Sequence, residues 1–285
     1  MKTQDLQTNL RRIVENLANE TDAARQSDLF RDYLRISSLF HNYSWGNQML
    51  IWSHRPTATR VAGYQTWRKM DRYVRGGEKG IPIFAPMIFK RQEAADADDL
   101  VTVEKSHPWF KVVYVFDIAQ TDGEPLPHLP TGCAGNAGDL EQHLCAFAAE
   151  KGIRVETGET GDAKGYAEQK GTHIVLSRAL GAAERAAVLV HELAHCLLHF
   201  GESHRPNLKQ RELEAEATAY TVAHHFGLDL QSNFYLASYG VKAADLLESL
   251  PIIQKTAHEI IQAVAPDDRK EPATRAAKPE LEVVA

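Results

Sequence analysis

Cysteine is scarce. The 285 residues hold three, Cys133, Cys145 and Cys196, an odd set without CxxC spacing. Such a set argues against a disulfide framework and against a cysteine-bound zinc, and fits reduced thiols in a cytoplasmic protein. Long apolar runs are missing as well. No segment approaches the roughly 20 apolar residues needed to span a bilayer. Residues 1–20 mix charge and amide throughout, unlike the apolar stretch of a signal peptide. No membrane partner is expected. Internal repeats are absent too, which excludes a solenoid. What remains is ordinary globular composition, 44% hydrophobic and 25% charged, with enough apolar material for two separate cores.

The net charge of −6 hides an asymmetry. Residues 1–90 carry 14 Lys and Arg against 8 Asp and Glu, a net of +6, and the remainder carries 18 against 30, a net of −12. The N-terminal excess is concentrated in residues 55–90, with 8 basic and 2 acidic side chains. A basic segment on an acidic protein points to a polyanion partner.

The pattern of apolar residues predicts helices over 1–20 and 27–54, the second ended by Pro56. One or two helical turns are expected over 64–70. Residues 72–75 and 81–89 flank a glycine-rich turn, 76–80, consistent with a hairpin. An acidic loop over 93–99 precedes a β-branched and aromatic run, 109–118, the clearest strand of this half. Seven Gly and Pro residues between 121 and 138 mark a linker. Beyond it come a helix over 139–151 and short strands near 153–156, 164–168 and 172–176. Helices then cover 182–200, 210–226 and 241–263, and the final 20 or so residues have a disordered composition. The expected fold is α+β in two domains. Residues 1–125 combine helices with a small antiparallel sheet, 126–138 link, 139–263 form a zincin-like domain, and 264–285 are a tail.

His191-Glu192-Leu193-Ala194-His195 fits HExxH on a strongly helical segment. The histidines stand at i and i+4, on one face, so two imidazoles can share one tetrahedral ion. Glu192 stands beside that ion and can act as general base on a water the ion activates. Two surface histidines with a chance glutamate would also give the string. Against that, Val188, Leu189, Val190, Leu193, Ala194 and Leu197 make the helix apolar nearly all round, and uncompensated polar groups on such a helix are costly to bury.

A third ligand is needed. The metzincin position is excluded, because residue 201 is Gly and residue 198 is Leu. The next helix offers Glu212, Glu214 and Glu216. Glu212 and Glu216 share a face; Glu212 is assigned as ligand and Glu216 as an outer-shell acceptor for a histidine, the reverse assignment remaining open. Glu214 reads as a solvated helix face. His199 continues the i, i+4 series and is read as outer-shell, a fourth ligand being the alternative. Zinc is the expected metal. The strand at 172–176 is expected to be an edge along which a peptide substrate could align.

In residues 63–80, Tyr64, Trp67 and Tyr73 alternate with Arg68, Lys69, Arg72, Arg75 and Lys79. Single-stranded nucleic acid is held by such a mixture, cations following phosphates and aromatic faces stacking on bases. A solvated basic hairpin over a small core, with Trp67 as its anchor, would look the same.

The two halves together resemble the ArdC-type antirestriction proteins. The resemblance rests on Asn47-Gln48-Met49-Leu50, on Gly63-Tyr64-Gln65-Thr66-Trp67, on residues 74–83 and 115–121, and then on residues 191–195 and 212–220, and it covers roughly residues 5–260. It implies an N-terminal single-stranded-DNA-binding domain, which would include Tyr64, Trp67, Arg75 and Lys79, joined to a metallopeptidase domain similar to the ImmA/IrrE proteases. It further implies a protein of plasmids and other mobile elements that protects incoming DNA from host restriction during conjugation. Two other readings stay open: a regulatory protease that cleaves a DNA-bound repressor, and a non-catalytic DNA-binding protein with a structural metal.

Overall fold

The computed structural model describes residues 2–20, 23–87, 110–125, 137–168, 170–200, 206–228 and 242–265. Most of the expected linker and tail, the acidic loop, Trp109 and His204 lie outside them. The fold is α+β. No helix among the described residues is long and apolar enough to cross a membrane.

The chain opens with α1 (Thr3–Ala18), α2 (Ala23–Leu39) and α3 (Trp45–His54). Periodicity alone predicts one helix where α2 and α3 stand. The chain instead turns at 40–44 and restarts at Ser44, whose Oγ accepts from the backbone of Asn47. Gln48 holds the corner. Fully buried, it donates from Nε2 to the carbonyls of Phe40 and Tyr43 and accepts from Ser37 Oγ at 2.9 Å. Its neighbour Asn47 exchanges two 2.9 Å hydrogen bonds with the backbone of Phe84 and so docks α3 on the first sheet.

That sheet has the order β1-β4-β3 and is antiparallel, built from β1 (Val61–Gly63), β3 (Ile81–Pro86) and β4 (Phe110–Asp117). The short α4 (Tyr64–Lys69) leads to β2 (Arg72–Val74), which pairs with β5 (Thr121–Gly123). The hairpin expected across residues 76–80 is therefore not formed: its two arms belong to different sheets. The cause is hydrogen bonding to residues about 50 positions along the chain. Arg72 donates to Thr121 Oγ1 at 2.9 Å and to the carbonyls of Thr121 and Gly123, pinning β2 to β5. Gly123, at φ 129°, is required there, since a Cβ would stand 2.3 Å from the Asp71 carbonyl oxygen.

The second half consists of α5 (Ala137–Glu150), β6 (Arg154–Gly158), β7 (Gly165–Ala167), β8 (His173–Ser177), α6 (Ala182–Leu198), α7 (Leu208–His225) and α8 (Ala243–Val264). In the sheet β6-β8-β7, the strand expected at 172–176 is central, parallel to β6 and antiparallel to β7. Flanked on both sides, β8 has no free backbone to offer a substrate, and that expectation is corrected: the edges are β6 and β7.

Two apolar clusters form. One gathers α1, α2, α3 and the first sheet; the other gathers α5, the second sheet and α6. Helices α7 and α8 contribute to both, through Leu213, Ala217, Leu246 and Leu250 to the first and Val222, Phe226, Ile260 and Ile261 to the second. Leu6, Phe30, Leu34 and Met49 are fully buried. At about 25 cal/mol per Å², each such side chain contributes on the order of 2 kcal/mol relative to exposure.

Candidate metal centre

Helix α6 is apolar around most of its girth because it is enclosed. Ala186, Leu189, Val190, Leu193 and Ala194 are buried. The remaining side, carrying His191 and His195, faces α7.

His191 Nε2 and His195 Nε2 lie 3.1 Å apart. The carboxylate of Glu212, from α7, stands 3.6 Å from each, one oxygen to each ring. One ligand atom from each of the three falls within 4.8 Å of the others, the only such convergence of three His, Cys, Asp or Glu groups among the described residues. Glu216, one turn further along α7, sits behind His191, with Oε2 3.2 Å from Nδ1. An ionised carboxylate only accepts, so His191 donates from Nδ1 to Glu216, which leaves Nε2 as the ring atom available to an ion. Two ring nitrogens and a carboxylate thus converge on one point, where positive charge is favoured. The donor set suits a divalent ion.

The electrostatics agree. Burial alone would lower the His191 pKa, but its bonds to Glu212 and Glu216 outweigh this and carry it up to about 9. Glu212 is held well below the usual carboxylate range by His191 and His195, against the opposing effect of its burial. In both cases the site favours positive charge at its centre.

Glu192, within reach of the charges of His191, His195 and Glu212, also touches β7. Along β7 and β8, Glu168 donates to the His173 carbonyl and Ser177 to the Lys164 carbonyl, both at 2.9 Å. The even residues of β7 thus bond to β8, and the N–H groups of Gly165 and Ala167 point off the free edge. The Ala167 N–H bonds the Glu192 side chain. Burial raises the pKa of Glu192, and the neighbouring His191 and His195 partly offset this. A raised carboxyl is what a base working near neutral pH requires. Gly165 lets β7 lie this close to α6, since a Cβ there would meet Val188 at 2.7 Å.

Glu214 is not a solvated acid. Its side chain is fully buried between α6 and α8, with Oε2 3.0 Å from His199 Nε2 and Oε1 accepting from Ser249 Oγ at 2.7 Å. The helical spacing that turns Glu214 away from Glu212 turns it into the core rather than into water. His199 lies 2.9 Å from His195, Nδ1 to Nδ1, and stands behind that ring. Ser249, 35 residues downstream of Glu214, has no spacing signal in the sequence. Burial pushes the Cys196 thiol up to about 12, Glu192 adding to the effect, so that thiol is inert.

The basic, aromatic segment divides in two. Trp67 is only 2% exposed, its Nε1 donating to the Phe116 carbonyl at 2.9 Å, so neither ring face is open to a base. Arg72 is spent on β5, and Arg75 on Glu78, Asp122 and the Ala119 carbonyl. Tyr64, Tyr73, Arg68, Lys69 and Lys79 are exposed. So are Phe110 and Tyr114, on the outer face of β4, while Val113 and Val115 turn inward to the core. The sequence reading passed over these two, although alternation along residues 110–117 puts them opposite the core residues.

Residues 4–116 match the family of the N-terminal domain of anti-restriction factor ArdC, and residues 148–231 match the IrrE N-terminal-like domain of peptidase family M78. The crystal structure of the antirestriction ArdC protein from plasmid R388, in its Mn(II)-bound form, is similar over 91% of this chain and 96% of its own, with a TM-score of 0.56 and 23% identity. Its metal-free form is similar over 78% and 82%, with a TM-score of 0.48 and 24% identity. An uncharacterised protein of Bacillus anthracis is 25% identical across an alignment that covers 86% of this chain and 49% of that protein. The chain thus spans about half the length of the curated relative it matches. The fold and the two matched domains define a metallopeptidase-like domain preceded by an ArdC-type N-terminal domain. In both matched segments the chain is similar to the ArdC-type proteins.

Proposed function

We propose that this protein is an antirestriction factor whose residues 1–125 bind single-stranded DNA and whose residues 139–263 hold one divalent metal for peptide hydrolysis. The observation that carries the catalytic half is the convergence of His191, His195 and Glu212 beside a buried glutamate. A divalent cation held there would supply Lewis acidity, bringing a water's pKa down to about 7 and polarising an amide carbonyl. Glu192 takes the proton of the attacking water and returns it to the amide nitrogen as the C–N bond breaks. An extended peptide lies along the free edge of β7, pairing with the outward backbone of Gly165. The R388 relative is described as Mn(II)-bound, and zinc is the expectation from the HExxH pattern. Elemental analysis of the purified protein beside His191→Ala decides between them.

For DNA, the exposed side chains Tyr64, Arg68, Lys69, Lys79 and Tyr114 are the proposed contacts, with Trp67, Arg72 and Arg75 building the surface beneath. Stacking contributes about 1–3 kcal/mol per base, so Tyr114→Ala should weaken single-strand binding about 5- to 150-fold while leaving the melting temperature unchanged. Affinity should fall with salt at a slope near −0.7 per phosphate contacted. A flat salt response, or a preference for duplex, refutes the assignment. The two halves are separated by a transfer assay into a restricting host. If Glu192→Ala protects incoming DNA as well as wild type, hydrolysis is not the route and shielding by DNA binding is.

A further inference from the structure

The two histidines of the centre are supported differently. His191 leans on a carboxylate, whereas His195 leans on another histidine. From His195 Nδ1 a chain of close contacts runs inward: 2.9 Å to His199 Nδ1, then from His199 Nε2 3.0 Å to Glu214 Oε2, then from Glu214 Oε1 2.7 Å to Ser249 Oγ. Ser249 also accepts from Gln210 Nε2 at 3.1 Å. The side chains of His199 and Glu214 are fully buried, as is Ser249, so solvent does not mediate these contacts. Three helices take part, α6, α7 and α8.

With Glu214 ionised, the protons between these side chains take the following positions. Ser249 gives its hydroxyl proton to one carboxylate oxygen. The other oxygen can only accept, so the proton between Glu214 and His199 sits on His199 Nε2. A neutral His199 then has a bare Nδ1, which can face His195 Nδ1 at 2.9 Å only as acceptor. The proton of that contact belongs to His195 Nδ1. Its Nε2, the atom 3.6 Å from Glu212, is left with a lone pair.

We propose that Ser249, Glu214 and His199 are positioning residues that select the Nδ1–H tautomer of His195 and aim its Nε2 lone pair at the point shared by His191 and Glu212. Helix α8 thereby becomes part of the centre without supplying a ligand. A free imidazole favours the other tautomer, with the proton on Nε2, which would close the site to an ion. The relay reverses that preference before any ion arrives. The inference rests on His195 being a ligand but not on peptide hydrolysis.

The test is nitrogen-15 NMR of the full chain, labelled at histidine and stripped of metal, with the tautomer of each ring read from its two- and three-bond proton–nitrogen correlations. His195 is expected as Nδ1–H in the wild type; finding it as Nε2–H overturns the proposal. His199→Leu removes the acceptor and should give mixed His195 tautomers with metal affinity about 10- to 100-fold weaker. His199→Asn places an amide oxygen where Nδ1 stood and should retain both the tautomer and most of the affinity. Equal weakening in Leu and Asn variants with an unchanged His195 tautomer would mean that His199 merely fills space, and would also overturn it. Thermal melts of the metal-free proteins establish folding, and the wild-type spectrum decides the matter even if the Leu variant does not fold. Because the tautomer is read without metal or substrate, an inactive peptidase leaves this result standing, and a wrong tautomer leaves the Glu192→Ala assay intact.

Discussion

Among the described residues two clusters of three histidines stand out, and they are built on opposite principles. His191, His195 and His199 are backed by Glu212, Glu214 and Glu216 of α7, and two of the rings meet a carboxylate at a common point. His41, His225 and His258 bring together the turn after α2, the end of α7 and the middle of α8. Here His41 Nδ1 lies 3.2 Å from His258 Nδ1, and the His41 and His225 rings are 4.8 Å apart. His225 Nδ1 is 2.8 Å from the Ser38 carbonyl, to which it donates, and Gln254 donates to the His41 carbonyl. Among the described residues no acid pairs with any of the three, and their ligand atoms do not converge. Histidines alone therefore do not bring three ligand atoms to one point among the described residues, whereas His191 and His195 with Glu212 do.

The largest expected effect breaks the first cluster chemically. Glu192→Ala should lower kcat for a cleaved substrate about 10²- to 10⁴-fold with metal content unchanged; loss of metal along with activity would show that Glu192 is structural. Metal itself comes next. Binding only to the folded state at a thousandfold excess over Kd should stabilise by about 4 kcal/mol. A melt with and without a chelator should therefore shift, and His191→Ala should abolish the shift while His41→Phe should not. Smaller again, Glu216→Ala should weaken metal binding about 10- to 100-fold by releasing the His191 ring. If Glu216→Ala abolishes binding while Glu212→Ala only weakens it, the roles of the two glutamates are exchanged.

How much of this could be read from the chain depends on the distance over which each feature is encoded. His191 and His195 stand one turn apart on one helix, and helical spacing separates Glu214 from Glu212 and Glu216. Those relations are local, so they are legible. Whether Glu214 meets water or protein depends on where α8 packs, and residue spacing carries nothing about that. The same holds for Ser249. In the N-terminal half, β5 is three residues long, Thr121-Asp122-Gly123, and shows no strand pattern. The glycines at 76, 77 and 80 thus suggest a local hairpin, while hydrogen-bonding side chains, the buried Gln48 at the helix corner and the half-buried Arg72 against β5, set the actual path. Trp67 carries the same ambiguity: an aromatic among cations reads equally as a stacking platform or as an anchor, and only its burial separates the two.

The smallest prediction sets the two clusters against each other through pH. Burial, reinforced by the charges of His225 and His258, lowers the His41 pKa from 6.5 to about 4, and burial also lowers that of His225, opposed by its bond to Ser38. The unfolded chain therefore takes up protons between about pH 6.5 and 4 that the folded cluster refuses. The stabilisation is complete above pH 6.5 and is lost as the pH falls towards 4. In the metal-free centre the sign is reversed. With His191 raised to about 9, its contribution is complete below pH 6.5 and is lost as the pH rises through 9. Metal-free protein should consequently be most stable in the neutral range, with a melting temperature that falls on both sides. His41→Phe keeps a ring in place without a charge and should reduce the acid slope alone, whereas Glu216→Gln should reduce the alkaline slope alone, Glu212 still holding the His191 proton. An undiminished slope between about pH 6.5 and 4.5 in His41→Phe, above the range where Glu212 takes up a proton, would show that the second cluster does not report pH.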